Sequence, residues 1–299
     1  MMRPFLLLAA AGLLAACAQQ PLRGTGDLGV VVERATGSLQ IIESSTQSQL
    51  ARVEGLGDLS HASVVFSRDQ RYAYVFGRDG GLSKVDLLRQ RIERRVIQGG
   101  NSIGGAISQD GSLIAVGNYE PGGVKVFDAQ TLELVADIPA TPLADGSRNS
   151  RVVGVIDVPG RRFIYSLFDT DETWLLDFSQ GNQPRITRFE GIGRQPYDAL
   201  LTPEGRYYIA GLFGEDGMAK IDLWHPERGV ERILDGYGRG QQKLPVYKMP
   251  HLEGWTVAGN QTFVPAVGQH RVLVMDSQKW QQTAAIDVAA SLVHPGLSA

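Results

Sequence analysis

Three groups of residues in this chain have types and spacings that could do chemistry. The first is His61, two residues before the apolar run "SVVF", with Arg78 just after the next apolar run, in "GRDG". An imidazole at the entry to a buried strand is a polar cap, a base or a metal ligand, and the residues alone leave all three open. The second is "QQKLPVYKMPHLEGW", where Tyr247 and His251 stand in a loop that interrupts the surrounding pattern. A phenol and an imidazole there either deliver and accept a proton or make the ordinary hydrogen bonds of a packed loop. Tyr197, in "GRQPYDAL", adds another phenol. The third group is Arg148, Arg151 and Arg194, each just before an apolar run. Guanidinium groups stay charged and bind carboxylates in a fork, although any one of these arginines taken alone reads as a solvated surface residue. His225, His270 and His294 fall in turns or the tail and read as surface. No Ser, His and Asp set or metal-ligand spacing stands out.

The elements that must position these residues are short and repeated. An acidic residue closes an apolar strand in "LQIIES", "LSKVDL", "VKVFDA", "TWLLDF", "MAKIDL" and "VLVMDS", at Glu43, Asp86, Asp128, Asp177, Asp222 and Asp276, at intervals of 42 to 54 residues. A period in the forties with several strands per unit is the pattern of β-propeller blades. One unit reads as four strands, "GGAISQDG", "SLIAVGN", "GGVKVFDAQ" and "ELVADIP", with turn residues between them. The anchor acids are expected to accept hydrogen bonds from the turns that follow them. The glycine-rich "GGNSIGG" at 99–105 lacks the helix N-terminus of a phosphate cradle and reads as a turn. The 36 glycines of the 299 residues fit an all-β protein rich in tight turns, and the net charge of −3 gives no reason to expect nucleic acid.

The first unit has only three strands, and about 23 residues follow Asp276, too few for two more units of this period. An open arc, read as a truncation of a longer parent, is therefore expected, in preference to a tighter ring closed by "TAAIDVA" or "SLVHPG". At the other end, Arg3, an apolar stretch from Phe5 to Ala16, and "LAAC" resemble a bacterial lipobox. This divides the chain into a signal peptide (1–16), a linker (17–27) and a propeller domain (28–299). Cys17 would become a lipid-bearing N-terminus in the periplasm, with Ala18 favouring the outer membrane, and the membrane would be met only through lipid. Cys17 is the one cysteine, so the mature domain could form neither a disulfide, a thiolate zinc site nor a covalent c-type haem.

The run "HASVVFSRDQRYAYVFGRDGGLSKVDL" resembles the segment of the cytochrome cd1 nitrite reductase d1-haem domain in which a histidine binds the haem iron and an arginine in "GRDG" meets a haem carboxylate. "GNYEPGGVKVFDAQTLEL" at 117–134 and "RVVGVI" at 151–156 are similar to the same domain, and "LPVYKMPHLEGW" is similar to the NirF family of haem d1 biogenesis proteins. The chain is identified as a member of that family. The resemblance implies an eight-bladed propeller whose cavity binds haem d1 or a late precursor, His61 on the iron and Arg78 on a carboxylate. Arg148, Arg151 and Arg194 become further carboxylate partners. Tyr247, His251 and Tyr197 become the acid or base candidates at the distal face. The implied function is a late step in making haem d1, such as dehydrogenation of a propionate side chain. The alternatives are a non-catalytic carrier or scaffold that delivers the cofactor to cytochrome cd1 nitrite reductase, and a propeller without a ligand. Other haem d1 biogenesis proteins are the implied partners. Two departures are visible: "IDVPGRRF" stands where the reductase has a distal histidine, and six units are present instead of eight.

Overall fold

The computed structural model describes residues 24–237, 255–266 and 269–288. Within them the chain forms 23 strands in six antiparallel sheets, with a short 3-10 turn at Pro226–Arg228. The first sheet has three strands, β1 (Leu28–Glu33), β2 (Ser38–Glu43) and β3 (Ser48–Val53). Five four-stranded sheets follow. They are β4 (Ser63–Phe66), β5 (Tyr72–Phe76), β6 (Gly81–Asp86) and β7 (Arg91–Ile97); then β8 (Asn101–Ile107), β9 (Leu113–Glu120), β10 (Gly123–Asp128) and β11 (Leu134–Ile138). Next come β12 (Val152–Val158), β13 (Arg162–Leu167), β14 (Glu172–Asp177) and β15 (Arg185–Phe189), then β16 (Pro196–Leu201), β17 (Tyr207–Leu212), β18 (Met218–Asp222) and β19 (Val230–Ile233). The last is β20 (Thr256–Ala258), β21 (Gln261–Ala266), β22 (Arg271–Asp276) and β23 (Gln281–Asp287). These are the blades of a β-propeller, and β4, β8, β12 and β16 lie side by side as their inner strands.

The blades hold together through five buried apolar clusters, one between each pair of successive sheets. Alternation within each strand sends every second side chain to one of these layers. Tyr165, Tyr208, Phe76 and Phe163 are among the largest fully buried side chains, and burying each aliphatic or aromatic chain contributes about 1.5–3 kcal/mol. Two of the buried tyrosines also bond across a blade boundary: Tyr74 Oη donates to the carbonyl of Ala129 at 2.7 Å, and the Tyr208 hydroxyl lies 3.0 Å from Ser166 Oγ.

The anchor acids do what the repeat predicts. Asp86, Asp128 and Asp276 each accept backbone N–H bonds from the residues two and three positions on, and Asp177 and Asp222 from the residue two on. Glu43 instead accepts from the Thr46 hydroxyl at 2.7 Å. Asp86 and Asp222 are also held by Arg71 and Arg206. The turn reading of "GGNSIGG" is corrected: from Asn101 onward it is the inner strand β8. Its glycines are there for space, since a Cβ on Gly105 would lie 2.1 Å from the Ala115 carbonyl and 2.6 Å from the Phe76 ring. The tail and the loop carrying Tyr247 and His251 lie outside the described residues, as do Cys17 and the lipobox, and with the tail goes the expected open arc. Among the described residues no helix is long and apolar enough to cross a membrane.

Candidate functional site

The inner strands do not run regularly to the end at which they begin. The ladder skips between Ser102 and Gly104 in β8, between Val153 and Ile156 in β12, and between Pro196 and Ala199 in β16. Each skip is a β-bulge, which releases residues from pairing and turns them toward the propeller axis. The residues so released are Ile103, Gly154 with Val155, and Tyr197 with Asp198. They line an axial cavity of about 750 Å³ together with His61, Ser63 and Gly104, a volume within the ~300–1,000 Å³ typical of small-molecule and cofactor sites.

The turns after the second strands form the rim above this cavity. In three blades the link is the same: the N–H of the rim residue donates to a carbonyl just before the inner strand. Arg78 bonds Asp58 at 2.7 Å, Phe168 bonds Arg151 at 3.0 Å, and Phe213 bonds Gln195 at 2.8 Å. The bond from Arg78 brings its turn against the segment that leads into His61, so the structure places these two predicted residues on one side of the cavity mouth. His61 Nδ1 is buried without a hydrogen-bond partner among the described residues, and so is Ser63 Oγ. The Arg78 guanidinium makes no hydrogen bond among the described residues and stands 5.9 Å from the Tyr119 ring centroid. Hydrogen bonds from Ser60, with the nearby charge of Arg78 adding, hold the Asp58 carboxyl below the usual carboxylate range.

Arg151 and Arg148 lie together on the next part of the rim, and both bind Asp169. Arg151 reaches it at 2.6 and 3.0 Å, and Arg148 at 2.8 and 3.0 Å. Burial works to raise the Asp169 carboxyl, but the bonds from Arg151 and Arg148 hold it well below the usual range. Arg194 is apart from them. It is exposed, donates to the Gly214 carbonyl at 2.8 Å and faces Glu215 at 3.8 Å.

Two parts of the rim were not singled out in the sequence. Tyr119, half-buried at the end of β9, has the guanidinium of Arg78 on one contact and that of Arg151, at 5.6 Å, on another. Its hydroxyl is pushed up chiefly by burial, then by the charge of Tyr197 and a hydrogen bond with it, against the pull of Arg151 and Arg78. Beyond Arg151 the wall continues through Phe168 and Phe213, which stand with the predicted Tyr197 at ring-centroid distances of 5.8–6.4 Å. Cations and aromatic faces attract through the ring quadrupole. The result is a curved wall of alternating charge and ring, suited to a flat, conjugated, anionic ligand.

The Cytochrome D1 heme domain family matches residues 23–293 of the chain. Protein NirF of Stutzerimonas stutzeri is 94% identical over 289 residues, 97% of this chain and 74% of that protein. The chain belongs to the NirF family. Protein NirF of Pseudomonas aeruginosa is 72% identical over 282 residues, covering 94% of this chain and 72% of the relative. Among solved structures, the chain is similar to the dihydro-heme d1 dehydrogenase NirN in complex with DHE, with a TM-score of 0.74 and 27% identity over 92% of this chain and 57% of that one. Family and neighbour agree with the propeller reading of the sequence.

Proposed function

We propose that the axial cavity binds haem d1 or a late precursor of it, and that the chain takes part in a late step of its maturation. A role in haem d1 biosynthesis follows from membership of the NirF family. The observation that carries the finer reading is the pairing, at one cavity mouth, of a buried imidazole nitrogen and a guanidinium that make no hydrogen bond among the described residues. A neutral imidazole is a good iron ligand, and when one ring nitrogen takes a proton the other is left to coordinate. His61 would hold the iron. Arg78, with the net positive charge of Arg148, Arg151 and Asp169, would meet the carboxylates, Tyr119 and Phe168 would back the guanidiniums, and Phe213 would stack along the ring edge. Bare backbone at Gly104, which lines the cavity, leaves the flat ligand room beside β8.

If the step is dehydrogenation of a propionate, two protons and two electrons leave as its carbon–carbon single bond becomes double. Tyr197, turned to the cavity by its bulge, is a group among the described residues placed to move a proton. Tyr247 and His251 remain candidates outside them. The two electrons would go to an external electron acceptor. A lipid anchor at Cys17 in the periplasm completes the proposal and sets the compartment in which that exchange would happen.

The test is visible absorption of the purified chain mixed with haem d1, for the wild type and for His61→Ala. The wild type should bind with an axial-imidazole spectrum and the variant should lose that signature while melting like the wild type. An unchanged spectrum in a folded His61→Ala protein removes His61 from the iron. Product analysis with authentic precursor separates turnover from carriage: recovery of unaltered precursor would favour the carrier.

A further inference from the structure

Arg151 is the most constrained guanidinium on the rim, and what constrains it is one carboxylate and two rings. Asp169 Oδ2 accepts from Nε at 3.0 Å and Oδ1 from Nη2 at 2.6 Å, a two-point contact that fixes the plane of the fork. The same Oδ2 accepts the backbone N–H of Arg151 at 2.9 Å, so the carboxylate grips both ends of the residue. Phe168 lies 4.4 Å from the guanidinium carbon and Tyr119 5.6 Å from it. Asp169 is in turn held by Arg148 and by its own N–H donating to Ser150 Oγ at 3.0 Å. Of the five N–H donors on a guanidinium, those on Nη1 make no hydrogen bond among the described residues. Two guanidiniums around one carboxylate also leave one positive charge over.

We propose that Asp169 is a positioning residue, which presents the Nη1 edge of Arg151 to a carboxylate of the bound tetrapyrrole. This rests on the reading of the cavity as a haem d1 site. A free arginine side chain must give up rotamer freedom when it binds an anion, whereas Arg151 has given it up in the folded protein. The rings beside it restrict the approach to the in-plane edge. Arg148, on the exposed side of Asp169, supplies the second cation that keeps the carboxylate ionised beside an incoming negative charge.

The opposite role for the same geometry is that of a competitor, in which Asp169 occupies the fork against the ligand. The two roles have opposite signs. Haem d1 and its methyl-ester form are titrated into the wild type and into Asp169→Ala, Asp169→Glu and Phe168→Leu, followed by visible absorption. If Asp169 positions Arg151, Asp169→Ala weakens haem d1 binding about tenfold or more, the worth of one charge-assisted hydrogen bond. The ester, which lacks the charge, should change far less, and Asp169→Glu should recover part of the loss. Phe168→Leu, which removes only the ring platform, should weaken the acid form in the same sense and serves if Asp169→Ala does not fold. Binding of haem d1 that is unchanged or tighter in the folded variants overturns the proposal, as does equal weakening of acid and ester. Failure of the wild type to bind haem d1 at all overturns the cavity reading itself, and is thereby distinguished.

Discussion

Replacing Gly154 with alanine should damage fold and site together, and the structure fixes how much. Gly154 sits in the bulge of β12 at φ +59°, and a Cβ there would lie 2.9 Å from the carbonyl oxygen of Tyr197, 3.3 Å from the nitrogen of Ala199 and 3.4 Å from Cα of Asp198. The left-handed conformation costs alanine about 1–2 kcal/mol. The contact costs more, because the obstructing atom is backbone and cannot rotate away; forcing an extra methyl into a packed position costs about 1–3 kcal/mol. Gly146→Ala is the control, since Gly146 has φ +69° and nothing within 4 Å of a Cβ. It carries the conformational cost alone. Urea unfolding of both variants should therefore show Gly154→Ala less stable than Gly146→Ala by about 1–3 kcal/mol at equal m-value. Because the strand pushed aside carries Tyr197 and Asp198, Gly154→Ala should also weaken haem d1 binding, and Gly146→Ala should not. Two variants of equal stability and equal affinity would refute the claim that the β12 bulge supports the β16 bulge.

Asp86→Ala should cost about 3 kcal/mol, because it strands Arg71 and two backbone N–H groups around a buried site; Asp128→Ala, at the equivalent but exposed turn, should cost about 1 kcal/mol by analogy with a lost cap. Burial pushes the Asp86 carboxyl up, but the Arg71 bond and the turn N–H groups outweigh it and hold the carboxyl below its ordinary 3.8. Its contribution is complete above that pH and lost as pH falls through the lower folded value, so the wild-type urea midpoint should drop more steeply below about pH 4 than that of Asp86→Asn. Cys17→Ser should move the protein from the membrane to the soluble fraction with haem d1 binding intact, and a wild type already soluble with its N-terminal region present would refute the anchor. Tyr197→Phe should keep ligand binding and slow product formation by about 100-fold or more; turnover equal to the wild type would take Tyr197 off the proton path.

The blades were legible because their signal is local. An acid closing each third strand needs only its own turn, so Asp86, Asp128, Asp177, Asp222 and Asp276 could be read from spacing, and the structure shows the bonds. The three-stranded first unit was legible for the same reason. The bulges were not: alternation gives no warning that Tyr197 and Asp198 leave the ladder, and "GGNSIGG" looks like a turn because glycine marks turns and close approaches alike. Asp169 was missed because its partners, Arg148 and Arg151, are about 20 residues away in sequence and meet it only across the β12–β13 pair. A signal did exist. Arg78, Tyr119, Phe168 and Phe213 all stand just past or at the end of a second strand, and aligning the units by their anchor acids brings the four together.

That alignment explains how a repeat builds an asymmetric site. Each blade offers two slots at the cavity mouth, one on the approach to the inner strand and one at the end of the second strand. In three blades a backbone hydrogen bond ties the two regions together whatever side chains they carry. The second blade fills its slots with His61 and Arg78, the fourth with Arg151 and Phe168, and the fifth sets Tyr197 beside Phe213. The third contributes Tyr119, which reaches both Arg78 and Arg151. Because the backbone link does not depend on the side chains, one slot can change without disturbing the blade that holds it. Neighbouring slots are coupled only through what they share, and here they share Tyr119 and Tyr197. The chemistry of the cavity therefore resides in which slots hold a cation, a ring or an imidazole, and on the proposed reading the order around the rim, imidazole and guanidinium, phenol, clamped guanidinium, then rings, would give a flat anionic ligand one orientation and not its mirror.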